Sequence, residues 1–349
     1  MRTNKIAYVV AAALVVLTVA GIVLTRRSEP RQATAGPAAS SASPAWASPE
    51  PPPPTPGADI RGPLDLLLIG VDTRVTIPDW EPHADALMLL HLDAGLRNGY
   101  LYSLPRDLRV DIPGMGRHKI TEAMSRGSRV PGSDRPSVEQ GYELLTRTVS
   151  AYTGIKEFQA GAILTFGGLA KLTDALGGVT LNVDQKVVSA HRKPDGTMRA
   201  LKPGGGGYTG PQATYLPGTR TLTGWQAIDF ARQRYGLPDG DYDRQRHQRQ
   251  LVKALLTKAQ QAGPAQVPAI VTALGDSLVY VGGRSPIEYA YALSSLTPAD
   301  LTLVTLPGAS IGSGGGYAGE QLKPVGTGFL KAVARNEPAE YLAAHPELS

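Results

Sequence analysis

Three short apolar runs that follow one another closely constrain the fold of this chain more than any other feature. Residues 64–71 and 85–92 are nearly continuous apolar runs, and residues 100–104 form a third one after the pair Asn98-Gly99. Such runs predict strands buried on both faces, and Asn-Gly is a strong hairpin signal. Because sequential strands with short connections usually pair, we expect an antiparallel meander. Helix and strand patterns alternate along the rest of the chain, which predicts a three-layer α-β-α domain with a mixed sheet.

The N-terminal part of the chain has a different composition. Residues 6–24 contain no charged residue, and a helix of this length spans about 28 Å, close to the hydrocarbon thickness of a bilayer. The alternative is a cleaved signal peptide, but the run is longer than usual and two arginines follow it. We therefore expect a single-pass protein of the cell membrane. Its predicted parts are a cytoplasmic N-terminus (1–5), an uncleaved transmembrane helix (6–24), a Pro/Ala/Ser-rich linker (25–62) and an extracytoplasmic domain (63–349).

The overall composition excludes several kinds of site. The chain has 349 residues, 42% hydrophobic and 19% charged, so the part after the linker can bury the core of one large domain. It has no cysteine, which excludes disulfides, thiolate metal sites and cysteine nucleophiles. The six histidines show no zinc-ligand spacing, and a net charge of +5 is too small to identify an anionic partner.

Two aspartates and two arginines lie where the predicted strands begin or end. Asp72 and Arg74 follow the first strand, Asp85 begins the second, and Arg106 follows the third. An antiparallel meander brings these strand ends to one edge of the sheet. Two carboxylates at one edge repel each other unless a cation lies between them, and such oxygen ligands suit Mg²⁺. The alternative is that both aspartates are ordinary turn residues.

A second group of charged residues lies later in the chain. A capping box at residues 223–226 starts a short helix, and Arg232 and Arg234 follow it. These arginines share a face only if the backbone there is extended. Asp241 and Arg244 begin a long helix in line with its apolar stripe, so each needs a partner. The alternative for Arg232 and Arg234 is that both are solvated. The alternative for Asp241 and Arg244 is a structural salt bridge.

Three weaker predictions come from the same patterns. Residues 189–220 form a long loop with four consecutive glycines, which is either a flap over a site or a mobile segment. We interpret Trp225 as a core anchor rather than a platform for sugars. We also expect Arg246, Arg249 and Lys253 to be solvated charges on the outer side of the long helix.

Six stretches, spread over roughly residues 65–256, carry a family resemblance. They are, in chain order, LLLIGVDTR, ADALMLLHLD, LYSLPRDLRVDIPGMGRHKI, FGGLAKLTDALGGVTLNV, LTGWQAIDFARQR and DGDYDRQRHQRQL. Together they closely resemble the LytR-CpsA-Psr family of membrane-anchored cell-wall ligases, although any one of them alone would be a weak signal. The resemblance implies an α-β-α domain with an apolar groove for a polyprenyl chain. It also implies a pyrophosphate site with Mg²⁺ at the mouth of that groove.

The resemblance further implies roles for individual residues. Asp72 and Asp85 would hold the metal, and Arg74 and Lys119 would be weaker contacts of the pyrophosphate. The main implied pyrophosphate contacts are Arg106, Arg232, Arg234 and Arg244, with Asp241 in support. The implied catalytic residues are Asp85, Arg106, Arg232 and Arg234.

The family reaction transfers a glycan-1-phosphate, as in teichoic acid or arabinogalactan, from a polyprenyl-pyrophosphate carrier to peptidoglycan. An acceptor hydroxyl attacks the sugar-side phosphorus and polyprenyl phosphate leaves, with Asp85 as the candidate base. The alternatives are a polyprenyl-pyrophosphate pyrophosphatase and a non-catalytic regulator that binds wall polymer or lipid. Nucleic acid is not an expected partner, because the basic residues are scattered and the domain is expected outside the cytoplasm.

The sequence departs from the family pattern around the predicted metal site. Ala84 and Ala86 flank Asp85 where Ser and Thr are frequent, and His247 stands at a position that is often basic. Hydrogen bonds that usually support the metal site are therefore expected to be missing or replaced.

Overall fold

The computed structural model of this chain describes residues 57–72, 80–262, 274–293 and 295–349. The predicted transmembrane helix, most of the predicted linker and Arg74 lie outside these ranges. Within them, no helix combines the length and the apolar character needed to cross a membrane.

The described part of the chain contains both strands and helices. The strands are β1 (Leu64–Asp72), β2 (His83–Leu92), β3 (Gly99–Leu104), β4 (Arg109–Ile112), β5 (Gly116–Lys119), β6 (Ala160–Thr165), β7 (Val179–Val183), β8 (Val187–Val188), β9 (Ala200–Leu201), β10 (Tyr208–Thr209), β11 (Thr214–Tyr215), β12 (Gly218–Leu222), β13 (Leu278–Gly282), β14 (Leu301–Val304), β15 (Gly308–Ile311) and β16 (Gly319–Leu322). The α-helices are α1 (Thr121–Gly127), α2 (Val138–Thr153), α3 (Phe166–Ala175), α4 (Gly224–Phe230), α5 (Asp241–Ala262), α6 (Pro286–Ala292), α7 (Pro324–Ala334) and α8 (Pro338–Ala344).

A mixed sheet with the strand order β13-β6-β1-β2-β3-β14 forms the centre of the domain. Strands β1, β2 and β3 pair antiparallel, which confirms the predicted meander. Strand β6 is parallel to β1, and β14 is parallel to β3. The connection between β2 and β3 is longer than an Asn-Gly turn, because Asp93 N–H bonds the carbonyl of Asn98 across the loop. Gly99 lies in β3, where an added Cβ would come 2.5 Å from a methyl carbon of Leu301.

Helices cover both faces of this sheet. Successive strand residues point to opposite faces. On one face, Leu68 and Leu90 belong to a core shared with α3, α4 and α5. On the other face, Leu67 and Leu89 belong to a core shared with α2 and α7. The strands are therefore buried on both sides, and the predicted α-β-α layering is confirmed for the described residues.

The loop predicted over residues 189–220, named the flap from here on, contains short strand pairs. Within it, β9 pairs with β10, while β11 and β12 pair with β8 and β7, which precede it. The alternating stretch at residues 179–188, just before the flap, forms two separate strands, β7 and β8. The flap is thus folded back onto the domain through backbone hydrogen bonds.

Candidate functional site

The ends of the first three strands bring an acidic and a basic side chain together, as the meander predicted. Asp85 lies near the start of β2, and Arg106 follows β3. Nη1 of Arg106 donates to Oδ1 of Asp85 at 2.7 Å, and both side chains are largely buried. The last residue of β1, Asp72, lies opposite His83 in the strand register, two positions before Asp85. The predicted edge therefore exists in the backbone for these residues.

The first turn of α5 adds a buried guanidinium to this edge. Arg244 is 1% exposed, and its Nη2 lies 2.5 Å from Oδ1 of Asp241. Burial lowers the pKa of Arg244 to about 10, and the attraction of Asp241 and Asp85 opposes this effect. Arg106 and Arg234 also act on this pKa, which shows that these charges lie within electrostatic range of one another. The group remains a cation at neutral pH.

Several buried donor atoms of this site make no hydrogen bond within the described parts of the chain. They are Nε and Nη1 of Arg244, Nε of Arg106, Nε of Arg232 and Nε2 of Gln248. Gln248 was not predicted as a site residue, although it follows Arg244 by one helical turn and could have been found from that spacing. Buried donors that lack a partner are costly, so the arrangement is suited to a ligand with several acceptor oxygens.

The two arginines after α4 reach this site from the flap side. Helix α4 ends at Phe230, so Arg232 and Arg234 both lie beyond the helix. The guanidinium of Arg232 lies 4.8 Å from the ring centre of Phe166, which packs against Ala86, the neighbour of Asp85. Arg234 donates from Nη2 to the hydroxyl of Tyr235 at 2.8 Å.

Lys119 joins the site through an aspartate that the sequence patterns did not identify. Its Nζ lies 3.3 Å from Oδ1 of Asp107, and Nε of Arg106 lies 3.9 Å from the same oxygen. Burial opposes ionisation of Asp107, but Arg106 and Lys119 outweigh it and hold its pKa below the usual value. Its position directly after Arg106, at the same strand end, was the available signal.

Arg249 is not the solvated charge that the sequence predicted. It is 2% exposed and lies between α5 and the sheet, where Nη2 donates to Oγ1 of Thr305 at 2.8 Å and Nη1 to Oγ of Ser103 at 3.3 Å. Burial lowers its pKa to about 9. The prediction was wrong because the sheet and its flanking loops enclose the N-terminal half of α5 on more than one side. Arg246, by contrast, is partly exposed and pairs with Asp184 at 2.7 Å.

A buried carboxylate connects the base of the flap to the arginine segment. Asp229 accepts hydrogen bonds from the hydroxyls of Ser189 and Tyr215, both at 2.9 Å, and from Nε2 of Gln233 at 2.9 Å. Oε1 of Gln233 accepts from the backbone N–H of Ala190 at 2.9 Å. Burial raises the pKa of Asp229, against the effect of these hydroxyl donors. Asp229 and Gln233 therefore both bind the flap, and Arg232 lies between them in the sequence.

Titration of Asp85 provides a test of the site that needs no substrate. Burial raises the pKa of Asp85 from 3.8 to about 6, against the attraction of Arg106 and Arg244. The protonated form is therefore favoured by folding. The associated stability is complete below the unfolded-state pKa and is lost as pH rises through the folded-state pKa. In protein treated with EDTA, the unfolding free energy should fall by on the order of 3 kcal/mol between about pH 4 and pH 6.

Urea unfolding across this pH range, compared with Asp85→Asn, checks this expectation. The variant lacks the titrating group and should not show this part of the fall. If the unfolding free energy depends on pH equally in the two proteins, Asp85 is not the group that titrates.

Comparisons with known proteins identify the family. The LytR_cpsA_psr family matches residues 36–314, which is most of the chain. The chain therefore belongs to the LytR-CpsA-Psr family, as the six stretches predicted.

Two relatives and one solved structure show how this similarity is distributed. The cell wall biosynthesis protein LcpA of Corynebacterium glutamicum is 26% identical over 316 residues, which cover 80% of this chain and 57% of the relative. The polyisoprenyl-teichoic acid–peptidoglycan teichoic acid transferase TagU of Enterococcus faecalis is 27% identical over 220 residues, or 62% of this chain and 61% of the relative. The structure of TagT bound to LIIa-WTA has a TM-score of 0.57 and 20% identity, and covers 79% of this chain and 91% of that one.

These matches differ in what they support. The chain spans 44% to 61% of the length of the first curated relatives that it matches. At 20% identity, the likeness to TagT shows a shared fold alone.

Proposed function

We propose that this protein is a membrane-anchored phosphotransferase of cell wall assembly. It moves a glycan-1-phosphate from a polyprenyl-pyrophosphate carrier to peptidoglycan and forms a phosphodiester bond. Family membership supports the proposal, and so do the names of two relatives, a cell wall biosynthesis protein and a teichoic acid transferase. A transmembrane helix at residues 6–24 would hold the domain outside the cell membrane, beside a lipid-linked donor.

The set of buried guanidinium donors carries this proposal. Arg106, Arg232 and Arg244 each present at least one buried nitrogen without a hydrogen bond inside the described ranges. A diphosphate offers many acceptor oxygens and two or more negative charges in a small volume. Guanidinium groups match phosphate oxygens in geometry and charge better than any other side chain. A pyrophosphate ligand would therefore satisfy donors that the protein leaves unsatisfied.

Mg²⁺ is part of the proposal, with Asp85 and Asp72 as the residues that would hold it. Asp241 is near enough to affect the pKa of Asp85, so negative charge is concentrated here. The described residues contain no group of three or more His, Cys, Asp or Glu side chains that could hold a metal. Mg²⁺ commonly uses only one or two protein carboxylates together with phosphate oxygens of the substrate, so two aspartates fit it. Bound there, it would neutralise charge on the diphosphate.

The side chains of the site would then act by position and charge. The arginine set binds the diphosphate oxygens and stabilises the charge on the departing polyprenyl phosphate. A hydroxyl of the acceptor forms the new O–P bond as the P–O bond to polyprenyl phosphate breaks. Asp85 is the candidate base that accepts the hydroxyl proton, and its carboxylate is ionised at neutral pH.

A product assay tests the proposal directly. The purified full chain in detergent is incubated with a short-chain polyprenyl-pyrophosphate glycan and Mg²⁺, with and without a peptidoglycan oligomer, and products are followed by mass spectrometry. We expect a glycan–phosphate–peptidoglycan adduct that needs Mg²⁺ and is absent with Arg232→Ala. Release of polyprenyl phosphate without an adduct would instead indicate a pyrophosphatase. Tight lipid binding without turnover would indicate a non-catalytic regulator.

A further inference from the structure

Two clefts lie between the flap and α4, and Trp225 lines both of them. The cleft nearer the arginine set has a volume of about 410 Å³ and is bordered by Ile228 and Arg232. The other has a volume of about 320 Å³ and is bordered by Leu222 and Arg220. The two clefts share Trp225 and lie on either side of it, so together they form a track that runs from Leu222 to Arg232. Both clefts are open to solvent.

The walls of this track carry aromatic and exposed apolar side chains. Trp225 is half-buried, and Gly196 of the flap packs against its ring so closely that an added Cβ would lie 2.9 Å from Cε2. Gly196 also has φ +83°, which favours glycine. Met198 and Leu216, which line the two clefts, are 51% and 53% exposed. Aromatic rings offer flat apolar faces to sugar rings, and exposed apolar side chains around a cleft indicate a binding surface. The interpretation of Trp225 as a core anchor is therefore incomplete.

The charged side chains of the track are all basic. Lys171, Arg192 and Arg232 line the larger cleft, and Arg220 lines the smaller one, whereas neither lining includes an aspartate or a glutamate. Arg192 is held in place by a hydrogen bond from Nη1 to the carbonyl of Gly196 at 2.7 Å. Lys171 is exposed. A carbohydrate that carries carboxylates would match this combination of rings and cations.

We propose that this track binds the glycan strand of the peptidoglycan acceptor, with the carboxylates of its peptides near the basic side chains. The inference rests on the proposed function and adds the residues that select the acceptor. A donor glycan ends at its diphosphate, so a cleft that is open at one end would be enough for it. A track that is open along its length can receive the middle of a long strand. At the Arg232 end, a strand hydroxyl reaches the phosphorus and loses its proton to Asp85 as the new O–P bond replaces the bond to polyprenyl phosphate.

Steady-state kinetics of the full chain test this assignment. Trp225→Ala should raise the KM for peptidoglycan oligomers by about tenfold, a loss typical of a truncated aromatic anchor. The KM for the polyprenyl-pyrophosphate glycan and the kcat at saturating oligomer should not change. Trp225→Phe should retain part of the affinity. Lys171→Glu, at an exposed position where folding is not at risk, should raise the same KM.

Tyr152→Ala serves as the matched control, because Tyr152 is a partly buried aromatic residue on α2, across the sheet from the track. It should leave both KM values unchanged. An unaltered KM for the oligomer in Trp225→Ala and Lys171→Glu would overturn the proposal. A rise in the donor KM alone would overturn it too and would assign the track to the donor glycan.

Calorimetric titration with the oligomer, in the absence of donor, separates this inference from the proposed function. If the wild type forms no adduct, the proposed function fails. Oligomer binding that is present in the wild type and weakened in Trp225→Ala would still support the track. Wild-type adduct formation with equal oligomer binding by both proteins would leave the function standing and refute the track.

Discussion

Arg244→Ala is expected to lower kcat for glycan transfer by at least about 10³-fold, the range found when an arginine that stabilises a phosphoryl transition state is removed. Arg244 is buried, and two of its nitrogen atoms make no hydrogen bond within the described chain. The charges of Asp85 and Arg106 both affect its pKa. Its loss would remove a cation from the position where charge is proposed to develop and would break the ion pair with Asp241. The adduct assay measures this effect under saturating donor and acceptor.

Arg246→Ala is the matched control on the same helix. Arg246 is partly exposed and pairs with Asp184 and Asp243, so its loss should change kcat less than about threefold. Arg244→Lys should give an intermediate rate, because lysine keeps the charge but not the planar fork of donors. A folded Arg244→Ala protein with nearly full activity would show that this arginine does not bind the reacting phosphate.

Arg249→Ala is expected to reduce the unfolding free energy by about 2–4 kcal/mol, comparable to other large truncations in a packed interior. The substitution leaves a cavity between α5 and β3 and removes the hydrogen bonds to Ser103 and Thr305. Urea unfolding followed by circular dichroism measures the change. A difference below about 0.5 kcal/mol would restore the view that this side chain is solvated.

Arg249→Met separates the contribution of volume from that of charge. No carboxylate pairs with Arg249 among the described residues, and burial of its charge has a large desolvation cost. Methionine fills most of the same space without this cost, so its unfolding free energy should lie within about 1 kcal/mol of the wild type. If methionine and alanine destabilise equally, the hydrogen bonds rather than the packing hold α5 at this position.

The central strands could be predicted because their signals are local. Continuous apolar runs identified β1, β2 and β3, and the chain order of the runs was enough to pair them. This pairing alone predicts that Asp85 and Arg106 lie at the same edge of the sheet. The β2–β3 connection was harder to predict, because Asn98-Gly99 does not form a two-residue turn here. Asn98 closes a longer loop with Asp93, and Gly99 makes room for Leu301.

The remaining site residues depend on contacts between distant parts of the chain. Arg249 was misplaced because a helical wheel assumes one buried face, whereas α5 is enclosed by β3 on one side and by the segment of Asp184 on another. Asp107 and Gln248 were missed because their signals are only relative: Asp107 directly follows Arg106, and Gln248 follows Arg244 by one helical turn. Arg244 was found because it lies in line with the apolar stripe of α5. The helical wheel predicts that this stripe is buried, and in the structure it is.

The hydrogen bonds of Asp229 have a consequence for how acceptor preference could diverge within such a protein. The flap is fastened through Ser189 and Tyr215 to a carboxylate three residues before Arg232. A substitution at the base of the flap would therefore disturb Arg232 together with the cleft that Trp225 lines. Changes near the tip, around residues 200–210, alter the cleft without reaching Asp229. If the track binds the acceptor as proposed, we expect lineages whose peptidoglycan differs to vary the tip of the flap and to retain its base.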